Sequence, residues 1–148
     1  MALSFFNVFL LLLLITPLDL SLAKKCILST MFQVHVINKL FPNSTQLRIH
    51  CASKNRELGD QILPINEDFN WSFCGTFINR DLYFCHFWLG AKDKAFNVFD
   101  DQDKCIKHGE THNYLHYCKW EVRPDGFYLE QYDFMSKSFY MDRYYEWS

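Results

Sequence analysis

The chain has 148 residues, with 49% hydrophobic and 18% aromatic content and a formal net charge of −2. All 15 Lys and Arg lie after position 23, and Asp19 is the one acidic residue of 17 that precedes it, so the remainder carries −1. That near-neutral balance argues against a nucleic-acid partner, which needs an excess of Lys and Arg, and gives no electrostatic reason to sit on an anionic membrane.

At the start of the chain, Phe5, Phe6, Val8, Phe9 and the run 10–15 form a charge-free apolar stretch, followed by Pro17 and by the small residues of Ser21-Leu22-Ala23. This is the pattern of a secretory signal peptide over residues 1–23, cut before Lys24. The apolar run stops at Pro17 and Asp19, short of the ~20 residues a spanning helix needs, so no membrane insertion is expected after cleavage. Residues 24–148 contain no linker, low-complexity tract or repeat and are expected to form a single extracellular domain. Export also decides the reading of Cys26, Cys51, Cys74, Cys85, Cys105 and Cys118, which meet an oxidising compartment where pairing is the default. Spacing alone does not choose their connectivity. No two of them stand close enough for zinc-type pairs.

In chain order, apolar residues occupy alternate positions at Phe32, Val34 and Val36, and again at Leu47, Ile49 and Cys51, where Arg48 and His50 turn outward. Turn formers at 41–44 join these two strands. A polar stretch with Gly59 breaks the pattern over 53–60. Phe69, Trp71 and Phe73 then define a third strand with Asn70 and Ser72 facing away. The segment 82–89 is apolar on both faces apart from His86, as expected for a central strand covered on two sides or shared with a disulfide. A short strand follows at 96–98, and 111–116 is a candidate for a short helix. Alternation returns at Cys118, Trp120 and Val122. Arg123-Pro124-Asp125-Gly126 reads as a hairpin turn into 127–129, because Pro124 pre-sets φ and Gly126 accepts a positive φ. Short antiparallel strands of this kind predict an all-β fold, a small antiparallel β-sandwich held by disulfides.

Three stretches resemble the plant self-incompatibility stigma proteins and their S-protein homologues. His50-Cys51-Ala52-Ser53-Lys54-Asn55-Arg56-Glu57-Leu58-Gly59 is similar to the family's H-C-x-S-K, acidic run, L-G segment. Residues 76–88 are similar to a threonine-led aromatic strand in which a cysteine, here Cys85, follows an aromatic. Cys118-Lys119-Trp120-Glu121-Val122-Arg123-Pro124-Asp125-Gly126-Phe127-Tyr128 is similar to C-x-W-x-V-x-x-D-G-aromatic. The ordered set covers about residues 31–130. The resemblance implies a secreted β-sandwich tied by two disulfides, Cys51 with Cys118 and Cys85 with Cys105. It further implies an extracellular signalling ligand that contacts a cell-surface protein receptor, in the founding members during self-incompatibility. The expected state is a monomer. Alternation places Cys51 with Leu47 and Ile49, and Cys118 with Trp120 and Val122, which suits a buried bridge between sheets.

Two features depart from the family pattern. Arg56 stands at the centre of the segment that is acidic elsewhere, so a receptor of an all-acidic member is not expected to be shared. Cys26 and Cys74 are extra, and are left to pair with each other or to link two copies. Asn43-Ser44-Thr45 and Asn70-Trp71-Ser72 fit the N-glycosylation pattern, the first in a turn and the second on a strand.

His108, His112 and His116 recur every fourth residue, but Gly109 and the lack of an H-E-x-x-H pattern favour solvated loop histidines over a metal site. Asp100, Asp101 and Asp103 lack the glycine and closing glutamate of a calcium loop. Neither a cofactor nor a metal nor a catalytic residue is nominated, and no G-x-S-x-G elbow or Gly-rich phosphate loop occurs. The rival function is a secreted carbohydrate-binding or hydrolytic sandwich, which a deep pocket with converging carboxylates or histidines would favour. In the ligand reading, the loops around 55–60, 92–94 and 100–104 present charge on a disulfide-held scaffold.

Overall fold

The alternation at Phe32, Val34 and Val36 extends over a full strand in the computed structural model, which describes residue 26 and residues 29–75, 81–108 and 115–148. The expected leader, residues 1–23, lies outside the described residues. Ten strands follow along the chain: β1 (Met31–Asn38), β2 (Leu47–Ser53), β3 (Glu57–Leu63), β4 (Asp68–Cys74), β5 (Tyr83–Leu89), β6 (Lys92–Phe99), β7 (Ile106–His108), β8 (Leu115–Arg123), β9 (Gly126–Asp133) and β10 (Ser138–Tyr145). They form two sheets, a sandwich as the sequence predicts. One has the order β10-β9-β8-β1-β4, with β7 added beside the start of β8, and the other the order β3-β2-β5-β6. β1 and β8 pair in parallel, and the remaining pairs are antiparallel.

The core lies between the sheets because each strand turns one alternate set of apolar residues inward. Val34, Val36, Trp120, Val122, Phe127 and Leu129 come from the first sheet, and Leu47, Ile49, Phe87 and Val98 from the second, all buried. Phe87 meets Phe127 with ring centroids 4.9 Å apart, and Phe96 meets Trp120 at 5.0 Å, so large rings fill the gap. Each fully buried side chain of this size stabilises the fold by about 1.5–3 kcal/mol. The buried Asn38 ends β1 and locks two crossovers. Its Nδ2 donates to the Leu63 carbonyl at 2.8 Å, and its Oδ1 accepts from the Leu40 N–H at 3.0 Å.

Four expectations are corrected. The segment 82–89 is the internal strand β5 shared with a disulfide through Cys85, one of its two readings, but it is not covered on both faces: Tyr83, Cys85 and Phe87 are buried, while Phe84 is exposed and His86 and Trp88 are half-buried. The polar stretch 53–60 is not only a break, because residues 57–60 begin β3, an edge strand with little burial to pattern it. The helix candidate 111–116 ends inside β8, which takes Leu115 and His116, and its residues 111–114 lie outside the described residues.

The fourth correction concerns the cysteines. Cys51 pairs with Cys85 and Cys105 with Cys118, not Cys51 with Cys118 and Cys85 with Cys105. Cys51 and Cys85 are direct partners in the β2–β5 register, with Cα atoms 4.1 Å apart, and both face the core. Cys118 belongs to the other sheet. Packed sheets lie about 10 Å apart, beyond the ~7 Å Cα separation that a disulfide bridges. The faces assigned from alternation are right, and the partners are nearer neighbours. Cys26 and Cys74 form the third bridge, anchoring the N-terminal segment to the end of β4.

Candidate interaction surface

Outward positions of the second sheet gather aromatic, cationic and acidic groups because neighbouring strands bring their outer residues into register. Arg48 is opposite Trp88, and His50 is opposite both His86 and Asp60. The Arg48 guanidinium lies over the Trp88 ring, 4.5 Å from its centroid, and one of its nitrogens reaches Asp60 at 3.2 Å. His86 stacks on Trp88 at 3.8 Å and holds Asp93 through Nε2 at 2.7 Å. Arg48 and His86 therefore both pack against the Trp88 indole. His50 approaches Glu57 at 3.4 Å and Asp60 at 3.6 Å, beside the exposed Phe84. Ion pairs this exposed contribute about 0–1 kcal/mol each. What they supply is a fixed orientation of an aromatic and charged strip on a rigid sheet.

The outer face of the first sheet also carries paired polar groups. Lys119 meets Glu130 at 2.8 Å, Arg123 meets Glu121 at 2.7 Å, and His35 meets Asp68 at 2.6 Å. Tyr117 donates to Glu130 at 3.0 Å, and burial together with that carboxylate pushes its phenol well above the usual range.

A small cleft lies where the end of β6 and the β6–β7 connection meet β8 and β10, lined in part by Asp100, Asp101, Lys104, Trp120 and Tyr144. Its charged groups serve the scaffold. Asp101 caps the 3-10 turn at Gln102–Lys104 by accepting from the Asp103 N–H at 2.9 Å, and Asp100 holds Lys104 at 2.8 Å. The hydrogen bond that Lys104 donates to the Asp100 carboxylate raises the Lys104 pKa. No histidine lines this cleft. His108 and His116 sit on the antiparallel pair β7 and β8, so they do not share a helical face, and His112 lies outside the described residues. Among the described residues, no group of three or more His, Cys, Asp or Glu is placed to hold a metal ion.

The model of the family described as plant self-incompatibility protein S1 matches residues 33–147 of this chain. The chain belongs to that family. Among Arabidopsis thaliana relatives it is 38% identical over 97 residues to S-protein homolog 19, covering 63% of this chain and 64% of that protein. It is 33% identical over 106 residues to S-protein homolog 20, covering 68% and 70%, and 31% identical over 83 residues to S-protein homolog 5, covering 54% and 57%. The chain thus spans just under two thirds of homolog 19 and less of homolog 5. A solved structure of a self-incompatibility protein homologue, from proteins described as small, highly stable, secreted and of plants, aligns with a TM-score of 0.50 at 20% identity, covering 80% of this chain and 90% of that one. That likeness supports the fold.

Set beside the family's S1 pattern, the segment after Cys51 gains a structural meaning that alternation did not reveal. Arg56, the basic residue at its centre, donates from Nη1 to the Ser72 carbonyl on β4 at 3.0 Å, joining the β2–β3 loop to the edge of the opposite sheet. Lys54, Asn55 and Glu57 remain exposed around it. Arg56 is therefore a tie within the scaffold as well as a surface charge. Asn43 is exposed in the β1–β2 connection, and Asn70 is exposed on the outer face of β4, with its Nδ2 3.4 Å from the Asp68 carbonyl.

Proposed function

We propose that this S1-family protein is secreted after removal of residues 1–23 and acts as an extracellular ligand through contact with a cell-surface protein receptor. The observation that carries this reading is the ordered strip on the second sheet. Arg48, His86 and Trp88 are stacked together, Asp60 and Asp93 hold them, and Phe84 and Ile62 are exposed beside them. Mixed aromatic, Arg and carboxylate surfaces of this kind suit protein partners, whose binding concentrates on aromatic and Arg anchors. The Cys51–Cys85 bridge ties together the two strands that carry Arg48 and Trp88, and glycans at Asn43 and Asn70 would leave the strip free, because neither residue lies on the second sheet.

The test applies the tagged chain beginning at Lys24 to intact cells, with proximity labelling of surface proteins. Saturable labelling that competes with untagged protein and falls for Arg48→Glu is the expected result. Labelling that the untagged protein does not compete would sink the reading, as would turnover of a glycan or RNA substrate that is lost on changing one His or carboxylate.

A further inference from the structure

The β9–β10 hairpin leaves the first sheet before it ends. β8 pairs with β9 where residues 120–123 meet 126–129, and over 115–117 it pairs with β7 instead. Beyond Leu129 and Asp142, the two hairpin strands have only each other as partners, so residues 130–141 form a two-stranded arm. The base of the arm is fastened. Glu130 accepts from the Tyr117 hydroxyl at 3.0 Å and from the Lys119 ammonium at 2.8 Å. The far end is apolar: Met135 at 95% and Phe134 at 83% are the most exposed large apolar side chains among the described residues, and they are adjacent in the turn. Behind them Tyr132 pairs with Phe139, their rings 5.0 Å apart, and Tyr132 also meets Phe134 at 5.1 Å. Tyr140 is exposed on the next rung. A lone hairpin is marginal in water, and here this ring cluster and the Asp133 turn hold it together.

We propose that this arm inserts its tip into the interfacial layer of a zwitterionic lipid membrane, without spanning it. The order of groups along the arm matches the depth profile of that layer. At a strand rise of about 3.3 Å per residue, Tyr132 trails Phe134 by about 7 Å, within the roughly 5–10 Å that interfacial segments penetrate. Phe134 and Met135 then reach the acyl boundary, while Tyr132, Phe139 and Tyr140 lie among the headgroups, where aromatic rings concentrate. Glu130, Asp142 and Arg143, at the base, stay in water. A protein acceptor would call for an apolar end but not for the graded rungs behind it. Charge selects the kind of lipid. Asp133 and Lys137 are the charged residues of the turn and sum to zero, and the Asp133 carboxylate is occupied by Ser136 and the Met135 N–H. Nothing there draws an anionic surface, and the Lys137 stem is long enough to reach a headgroup phosphate. The strip around Trp88 lies on the other sheet, so this contact and the receptor reading stand or fall separately.

The test floats the purified chain beginning at Lys24 with phosphatidylcholine vesicles, and separately with vesicles that also contain phosphatidylserine. Reversible binding to phosphatidylcholine is expected, unchanged by added phosphatidylserine or by salt. Phe134→Ser combined with Met135→Ser should lower the partition coefficient about tenfold or more at an unchanged denaturation midpoint, while Arg48→Glu should bind as the parent does. A second measurement reads the depth. Phe134→Trp should add emission that lipids brominated along the acyl chain quench. The emission added by Phe41→Trp should escape quenching, because Phe41 follows the end of β1 beside the β8–β9 turn, at the opposite end of the first sheet. A chain that stays free of both kinds of vesicle overturns the proposal, whether or not a protein then takes the arm. So does binding that requires phosphatidylserine, binding that the two serine substitutions spare, or equal quenching at both positions.

Discussion

Trp120 donates its indole N–H to the carbonyl oxygen of Val98 at 2.9 Å, a hydrogen bond that crosses from one sheet to the other through the core. Both residues are buried, so water cannot replace either partner. Trp120→Phe keeps most of the ring packing and removes the donor. Leaving a buried carbonyl unpaired costs about 1–3 kcal/mol, so urea denaturation should show a loss of that size with an unchanged m-value. Trp120→Ala should cost more, about 3–5 kcal/mol, because a cavity is added.

Peptide mapping without reduction should recover Cys51 joined to Cys85 and Cys105 joined to Cys118. Their sequence separations of 34 and 13 residues give both bridges substantial loops to close. Replacing Cys51 and Cys85 together with alanine should cost about 2–5 kcal/mol. A peptide linking Cys51 to Cys118 would contradict the register of β2 and β5.

Gly126 has a φ of +152° where the β8–β9 turn ends, and a side chain there would run into the Tyr145 carbonyl oxygen of β10. Gly126→Ala therefore meets backbone strain of about 1–3 kcal/mol and a clash with main chain that cannot swing aside. Thermal melting should fall accordingly. The neighbouring Asp125→Ala, at an exposed position, should melt within a few degrees of the parent.

The β9–β10 turn is closed by Asp133, whose carboxylate accepts from the Ser136 hydroxyl at 2.7 Å and from the Met135 N–H at 2.9 Å. The Ser136 bond first, and then the backbone bond, holds its pKa below the ordinary value. A carboxylate with a lowered folded-state pKa contributes stability above its unfolded pKa and loses it as pH falls through the folded value. The Met135 amide resonance should therefore titrate below the usual aspartate range of about 3.9, and Asp133→Ala should abolish that titration. A midpoint at or above the usual value would refute the closure.

Several strands were legible because burial on one face imposes a period of two. Phe32 to Val36, Leu47 to Cys51, Phe69 to Phe73 and Cys118 to Val122 all keep the faces read from the sequence, and the turn at 123–126 sits where Pro124 and Gly126 place it. β3 and β10 were not legible. Both are edge strands, and Tyr140 and Asp142 of β10 are exposed on the side that faces inward elsewhere, so burial wrote little pattern into them. The strip around Trp88 was hidden for the opposite reason. An outer face rich in Phe84 and Trp88 reads as a second buried face until the strand has neighbours on one side of the sheet only.

By itself the sequence determined the all-β character of this protein and which side of its strand each core cysteine occupies, since alternation records the face a residue turns to the interior. Which residues become neighbours was decided by the tertiary structure. Cys51 meets Cys85 rather than Cys118, and Arg56 meets the carbonyl of Ser72 rather than solvent alone. Both contacts depend on strand order and register. A disulfide or a hydrogen bond needs two groups within a few ångströms, and a period of two carries no information about which distant segment supplies the second.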